Sequence, residues 1–244
     1  MRVPRIYYPD LQQGKSTAAL EGKAMQHLTR VLRLRTGDEV ILFDGNNYQC
    51  QARITSINNR QVELLTQQNQ FLSRESNLDI TLIQGISRGE KMDWTLQKAT
   101  ELGVNRIIPV DTRRGVVKLD SNRKISRMHH WQGILIHACE QSGRNLLPEL
   151  DAPKNLNDAI SLCDESKLFY LDPEASMAIK QLPEITSNNK LCLIIGPEGG
   201  FDDDELQMMT NMGAQGLKLG PRILRTETAG IVALAAIGTL FGDL

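Results

Sequence analysis

Lys190-Leu191-Cys192-Leu193-Ile194-Ile195-Gly196-Pro197-Glu198-Gly199-Gly200-Phe201 decides the class of fold. Its apolar run reads as a short buried strand, the habit of a parallel sheet. The run enters a glycine-rich turn, and Asp202 with Glu205 has the spacing of a capping box opening a helix over 202–212. The same alternation recurs outward from it. Residues 78–86 read as a strand, then 90–102 as a helix capped by Gly103, and 106–110 as a second strand. A long helix follows over 124–141, with Ile125, Met128, Leu135 and Ala138 on one stripe and Gly143 as the stop. Residues 167–171 and 217–219 are further strands, and 227–241 the last helix, with Thr226 as N-cap. This pattern predicts an α/β fold, a mostly parallel sheet covered on both faces, with ligands at the carboxyl ends of its strands.

The amino-terminal part reads differently. Strands are expected at 5–8, 39–43, 48–57 and 61–65, with Asp44-Gly45-Asn46-Asn47 as a hairpin turn. A helix over 25–34 would turn Leu28, Val31 and Leu32 to the core. Short strands joined by tight turns suggest a small β-barrel. The polar stretch 67–77 marks a boundary, which predicts a barrel domain over 1–70, a linker over 71–77 and the α/β domain over 78–244.

The 244 residues, 41% hydrophobic and 23% charged, have globular composition. The longest apolar stretch, 231–241, is shorter than the roughly 20 residues of a membrane span, and the first residues lack the apolar core of a secretory signal. Cysteines 50, 139, 163 and 192 form no CxxC pair. A soluble, reduced, cytoplasmic protein is expected. The net charge of −1 hides an asymmetry: residues 1–70 carry nine Lys/Arg against six Asp/Glu. His27, Arg30, Arg33 and Arg35 form either a solvated helix face or a phosphate-binding patch.

Three segments could carry chemistry. The turn 196–200 is either a tight strand–helix connection or a ligand loop; it is neither GxGxxG nor a P-loop. In Leu219-Gly220-Pro221-Arg222-Ile223-Leu224-Arg225-Thr226-Glu227-Thr228-Ala229, Ile223 and Leu224 either plug the core or wall a ligand site. Glu140-Gln141-Ser142-Gly143-Arg144 crowds polar groups at a helix end. His129, His130, His137 and Cys139 share one helix without the spacing of a zinc motif, so no metal is expected.

Taken with Arg88-Gly89-Glu90-Lys91-Met92, Gln97-Lys98, Glu101-Leu102-Gly103-Val104 and His27-Leu28 to Arg30-Val31-Leu32-Arg33, these segments resemble the bacterial 16S (small-subunit) ribosomal RNA uridine-N3 methyltransferases, the RsmE group of the SPOUT superfamily. The resemblance runs nearly end to end. It implies a PUA-like amino-terminal barrel, a carboxyl-terminal parallel-sheet domain with a deep trefoil knot, S-adenosylmethionine as methyl donor, and a homodimer acting on 16S ribosomal RNA, within the small subunit. A knot goes against general topology rules and rests on the resemblance alone. Under this reading Gly196, Gly199, Leu219, Gly220 and Leu224 cradle the cofactor. Leu171 and Ile195 complete the pocket, with Pro197, Thr226 and Ala229 from the same motifs. Glu140 is the candidate base for uracil N3–H; Arg144, Arg222 and Arg225 would hold a phosphate or the developing anion. Arg5, His27, Arg30, Arg33, Arg88 and Lys91 would capture RNA. Rival readings are a SPOUT enzyme acting on ribose 2′-OH or on tRNA, a non-catalytic RNA-binding assembly protein, and another nucleotide-dependent α/β enzyme.

Overall fold

The computed structural model describes residues 3–11, 15–118, 120–186 and 190–244; Arg2, one of the basic residues counted above, lies outside them. The chain divides into two compact units. The first comprises residues 1–75 together with Cys139–Leu147, and the second comprises Ser76–Ala138 and Pro148–Leu244. The division therefore differs from a single cut in the linker, because the segment around Gly143 groups with the amino-terminal unit.

In the first unit, β1 (Arg5–Tyr7), β2 (Thr17–Glu21), β3 (Glu39–Phe43), β4 (Tyr48–Ile57) and β5 (Gln61–Thr66) form a sheet ordered β1-β3-β4-β5-β2. β6 (Gln70–Phe71), which straddles the expected barrel–linker boundary, pairs with β4. Alternation along β4 and β5 turns Cys50, Ala52, Ile54, Val62 and Leu64 into the core. Gly45 and Asn47 take positive φ in the β3–β4 turn, as the hairpin signal requires.

The expected helix over 25–34 is instead α1 (Gly22–Gln26) followed by a π-helical turn, His27–Val31. Leu32 N–H reaches back five residues to the His27 carbonyl, at 3.0 Å. The wider turn shifts the phase of the side chains. Leu28 stays in the core, whereas Val31, 67% exposed, and Leu32 face outward. Arg33, at φ 54°, ends the helical run.

Among the described residues the second unit holds a sheet of eight strands, every pair parallel. Its members are β7 (Asp79–Gly85), β8 (Arg106–Asp111), β9 (Glu149–Leu150), β10 (Lys154–Asn155), β11 (Ser166–Leu171), β12 (Met177–Ala178), β13 (Lys190–Ile195) and β14 (Gln215–Lys218). The order is β10-β8-β7-β13-β11-β14-β12, with β9 beside β8. The helices are α2 (Glu90–Glu101), α3 (Ser121–Ser142), α4 (Leu156–Ser161), α5 (Asp203–Asn211) and α6 (Thr226–Phe241). Cys192 and Ile194 pack with residues of α4 and α5, while Ile195 faces Gly230 of α6. The period-2 alternation of β13 thus buries both faces of the sheet. Asp202 and Glu205 form the expected capping box at α5.

Two local expectations fail. Along α3 the buried stripe is Trp131, Leu135, Ala138 and Cys139, while Ile125 is 60% exposed. The stripe therefore starts two turns later than the periodicity suggested. Arg225, not Thr226, is the N-cap of α6, which frees the Thr226 side chain for another task.

Candidate functional site

A cavity of about 560 Å³ opens in the second unit at the carboxyl ends of three neighbouring strands, β13, β11 and β14. Leu171, Ile195, Leu217, Leu219 and Leu224 give it apolar walls, with Phe201 and Leu206 added from the start of α5. Gly196, Pro197, Gly220, Thr226 and Ala229 also line it. All the residues expected to hold a cofactor except Gly199 therefore share one cavity. Gly199 faces elsewhere: a Cβ there would stand 3.0 Å from both the Cβ and the carbonyl oxygen of Arg114. Its lack of a side chain serves loop-to-loop packing. Ile223, 83% exposed, is no core plug, and both it and Leu224 line the cavity.

The glycine-rich turn is held from three sides. A Cβ on Gly85, where β7 ends, would come within 2.6 Å of Pro197 N, so the two backbones touch with nothing between them. Thr226 Oγ1 donates to the Gly196 carbonyl and accepts from Gln84 Nε2, which also donates to the Gly85 carbonyl. Arg113 binds Asp202 and Asp204, and its amide donates to Glu205 at 2.9 Å, fixing the loop before α3 against the start of α5. Neither Gly85 nor Gln84 stood out in the sequence, because each acts through a contact more than a hundred residues away. Cβ atoms on Gly200 and Gly220 would meet no atom of the described residues within 4 Å, so both keep backbone open beside the cavity.

Charged residues also line the cavity: Lys91, Glu198, Arg222 and Arg225, with Asp172. Lys91 Nζ lies 3.2 Å from Glu198. Burial pushes the Glu198 carboxyl up, but the amides of Glu198 and Arg88 and the Lys91 ammonium outweigh it, and the group sits below the usual carboxylate range. Arg222 and Arg225 are exposed.

The other nominated residues divide between the units. Glu140 and Arg144 belong to the first, where the Tyr7 amide donates to Glu140 at 3.1 Å. The Arg144 guanidinium, 5% exposed, is paired with Glu75 through two hydrogen bonds. Arg5 donates to Gln49 and Asn145 and lies over the Phe43 ring. It is 6% exposed, a buried anchor of the 139–147 segment more than an RNA-facing group. Arg30 and Arg33 are exposed, and His27 is half-buried. Arg88 and Lys91 lie at the start of α2 in the second unit. Among the described residues, no group of three or more His, Cys, Asp and Glu could hold a metal. His130 instead bonds Asp93 at 2.7 Å.

Two family models match the chain: an RNA methyltransferase domain over residues 74–238 and an RNA methyltransferase PUA domain over 20–67. Fold, cavity and these two domains define a protein of the RNA methyltransferase class. Among curated relatives, the ribosomal RNA small subunit methyltransferase E of Buchnera aphidicola subsp. Schizaphis graminum is 36% identical, covering 100% of this chain and 98% of its own. The Bacillus subtilis protein of that name is 30% identical over 91% of this chain and 89% of its own. Of solved structures, a methyltransferase from Legionella pneumophila in complex with the cofactor SAM superposes with a TM-score of 0.95, at 40% identity over all of both chains. The small subunit methyltransferase E of Neisseria gonorrhoeae, bound to S-adenosyl methionine, does so with 0.93, at 37% identity over 99% of each chain. The chain belongs to the ribosomal RNA small subunit methyltransferase E family.

Proposed function

We propose that this protein methylates N3 of one uridine in 16S ribosomal RNA, using S-adenosylmethionine. As a family member it is an S-adenosylmethionine-dependent ribosomal RNA methyltransferase; the target atom and the residue roles are the finer part of the reading. The observation that carries it is the convergence of the 195–201 and 219–229 segments on one cavity at the carboxyl ends of β13, β11 and β14. The residues fit the cofactor: leucines flank a slot of suitable apolarity for adenine, and Gly200 and Gly220 leave backbone groups unobstructed. When bound, the cofactor supplies an electrophilic methyl group.

The chain must position uracil and favour loss of its N3 proton. Arg222 and Arg225 line the cavity and are exposed, so they can stabilise negative charge on the base where it develops. Glu140, the nominated base, has its Oε1 engaged by the Tyr7 amide in the first unit. Arg144 already has its charge balanced by Glu75. This reading therefore puts the electrostatic work on Arg222 and Arg225, and gives Arg144 the task of holding its own segment in the first unit. Arg30, Arg33, Arg88 and Lys91 carry the RNA phosphates. N3 pairs in duplex RNA, so the target uridine is unpaired or flipped out.

The homodimer is supported by α6, which is apolar on more than its packed side: Val232 and Leu240 are 39% and 50% exposed. A second copy would cover them. The knot is supported by the sheet order, in which β13 enters between β7 and β11 while α6 packs on α2. No helix among the described residues is long and apolar enough to cross a membrane, in keeping with a cytoplasmic substrate.

The test is methyl transfer from labelled S-adenosylmethionine to small ribosomal subunits lacking the modification, with nucleoside analysis. The expected product is 3-methyluridine. A 2′-O-methyl nucleoside would overturn the target atom and keep the class.

A further inference from the structure

The second unit has a smaller recess of about 170 Å³, lined from the end of β7, the start of α2 and the middle of α3. Ile86, Met92 and Val117 are its apolar walls. Ser87 and Trp131, 4% and 1% exposed, also line it. Neither the Ser87 hydroxyl nor the Trp131 indole N–H has a hydrogen-bond partner among the described residues. Buried polar groups are almost always paired, so two orphans lining one recess point to an acceptor from outside. The indole can only donate, and the hydroxyl can.

Arg88 and Arg127, both exposed, complete the lining with two permanent cations. Among the described residues, none that lines the recess carries a carboxylate. Of the neighbouring acids, Glu198 pairs with Lys91 and Asp93 with His130, while Glu90 is exposed in the first turn of α2. Gly89 opens α2 without a side-chain cap, which adds the positive end of a twelve-residue helix. The site therefore offers donors and positive charge and no charged acceptor. The group that fits such a site is an anion rich in hydrogen-bond acceptors. The volume, that of roughly six waters at about 30 Å³ each, admits a phosphate group and not a whole nucleotide.

We propose that this recess binds one phosphate of the substrate RNA, with Trp131 Nε1 and Ser87 Oγ as buried donors and Arg88 and Arg127 as the clamp. This rests on the RNA substrate assigned above and adds Ser87, Arg127 and Trp131 as positioning residues. The chemistry recognised is a phosphate oxyanion, so free phosphate binds as well, and the test separates the two sources.

The chain has two tryptophans, so in ¹⁵N-labelled Trp94→Phe protein the remaining indole N–H resonance is that of Trp131. Titration with inorganic phosphate at constant ionic strength should move that resonance saturably. Arg127→Gln, at an exposed position, and Ser87→Ala should each weaken the response about tenfold. A short oligouridine should displace the phosphate. In methyl transfer, Arg127→Gln should raise KM for RNA about tenfold, leave kcat and the S-adenosylmethionine Kd unchanged, and flatten the log–log salt slope of RNA binding by about 0.7. No saturable shift, or an equal shift in Arg127→Gln, overturns the site. Phosphate binding that oligouridine cannot displace overturns its use for RNA. Phosphate binding with oligouridine displacement but no methyl transfer by the wild type sinks the proposed function and leaves this inference standing.

Discussion

Thr226→Val keeps the shape of the side chain and removes one hydroxyl that serves two partners. Gln84, fully buried, loses the acceptor of one Nε2 hydrogen, and its Oε1 already has no partner among the described residues. The Gly196 carbonyl loses its donor, but Gly196 is only half-buried and water can replace it. Leaving a buried polar group unsatisfied costs about 1–3 kcal/mol. With the Gln84 amide in that range and the carbonyl near its lower end, the total is about 2–4 kcal/mol. For a unit of this size the melting temperature should fall by roughly 4–16 °C. Part of the loss falls on the 196–200 turn, so S-adenosylmethionine should bind about tenfold more weakly, which corresponds to about 1.4 kcal/mol. Denaturant unfolding and calorimetric titration measure the two effects, with Thr226→Ser as the control that keeps the hydroxyl. A Thr226→Val protein within about 0.5 kcal/mol of wild type, with unchanged cofactor Kd, would refute the pin between Gln84 and the turn.

Gly85→Ala should push Pro197 away and lower cofactor affinity with little change in RNA affinity, measurable by the same titration. Arg144→Ala strands a buried Glu75 carboxylate and should destabilise the first unit by about 3–5 kcal/mol in urea unfolding; replacing both partners with apolar residues should recover much of it. Because the folded Glu198 carboxyl is held below its usual range, its interactions with Lys91 and the start of α2 are fully present above the ordinary carboxylate pKa. They are lost as pH falls through the lowered value, so Glu198→Gln should remove an acid limb from the pH profile of cofactor binding. All four cysteines are buried, and burial raises the Cys139 thiol to about 12. A thiol reagent at pH 8 should therefore label Cys139 only as the protein unfolds.

The α/β class was legible because β13 and β7 are apolar runs closed by turn residues and followed by helices. The cavity was legible because most of its lining comes from two contiguous segments, 195–201 and 219–229. What stayed hidden depends on contacts distant in sequence or on phase. Gly85 looks like an ordinary strand end until Pro197 is seen against it. Val31 and Leu32 fit an α-helical stripe, and only the extra residue in the His27–Val31 turn rotates them outward. Arg144 reads as a free cation beside a glycine, because nothing local announces Glu75. The two short strands β9 and β10 carry too few residues for any periodicity to register.

The Cys139–Leu147 segment has a consequence for synthesis. Asn145 accepts from Arg5 and donates to Gln49 and Leu72, and Arg144 neutralises Glu75, so the amino-terminal unit is unfinished until residue 147 exists. At about 5–20 residues per second, roughly 4–14 s separate the emergence of Glu75 from that of Leu147. During that interval the nascent β-sheet waits with Arg5 lacking Asn145 and Glu75 lacking Arg144, and the ribosome making this protein has already threaded out most of α2, β8 and α3. A fragment ending at residue 75 would reproduce that waiting state permanently. The amino-terminal unit is thus completed late in translation, by a piece of chain borrowed from the middle of the gene.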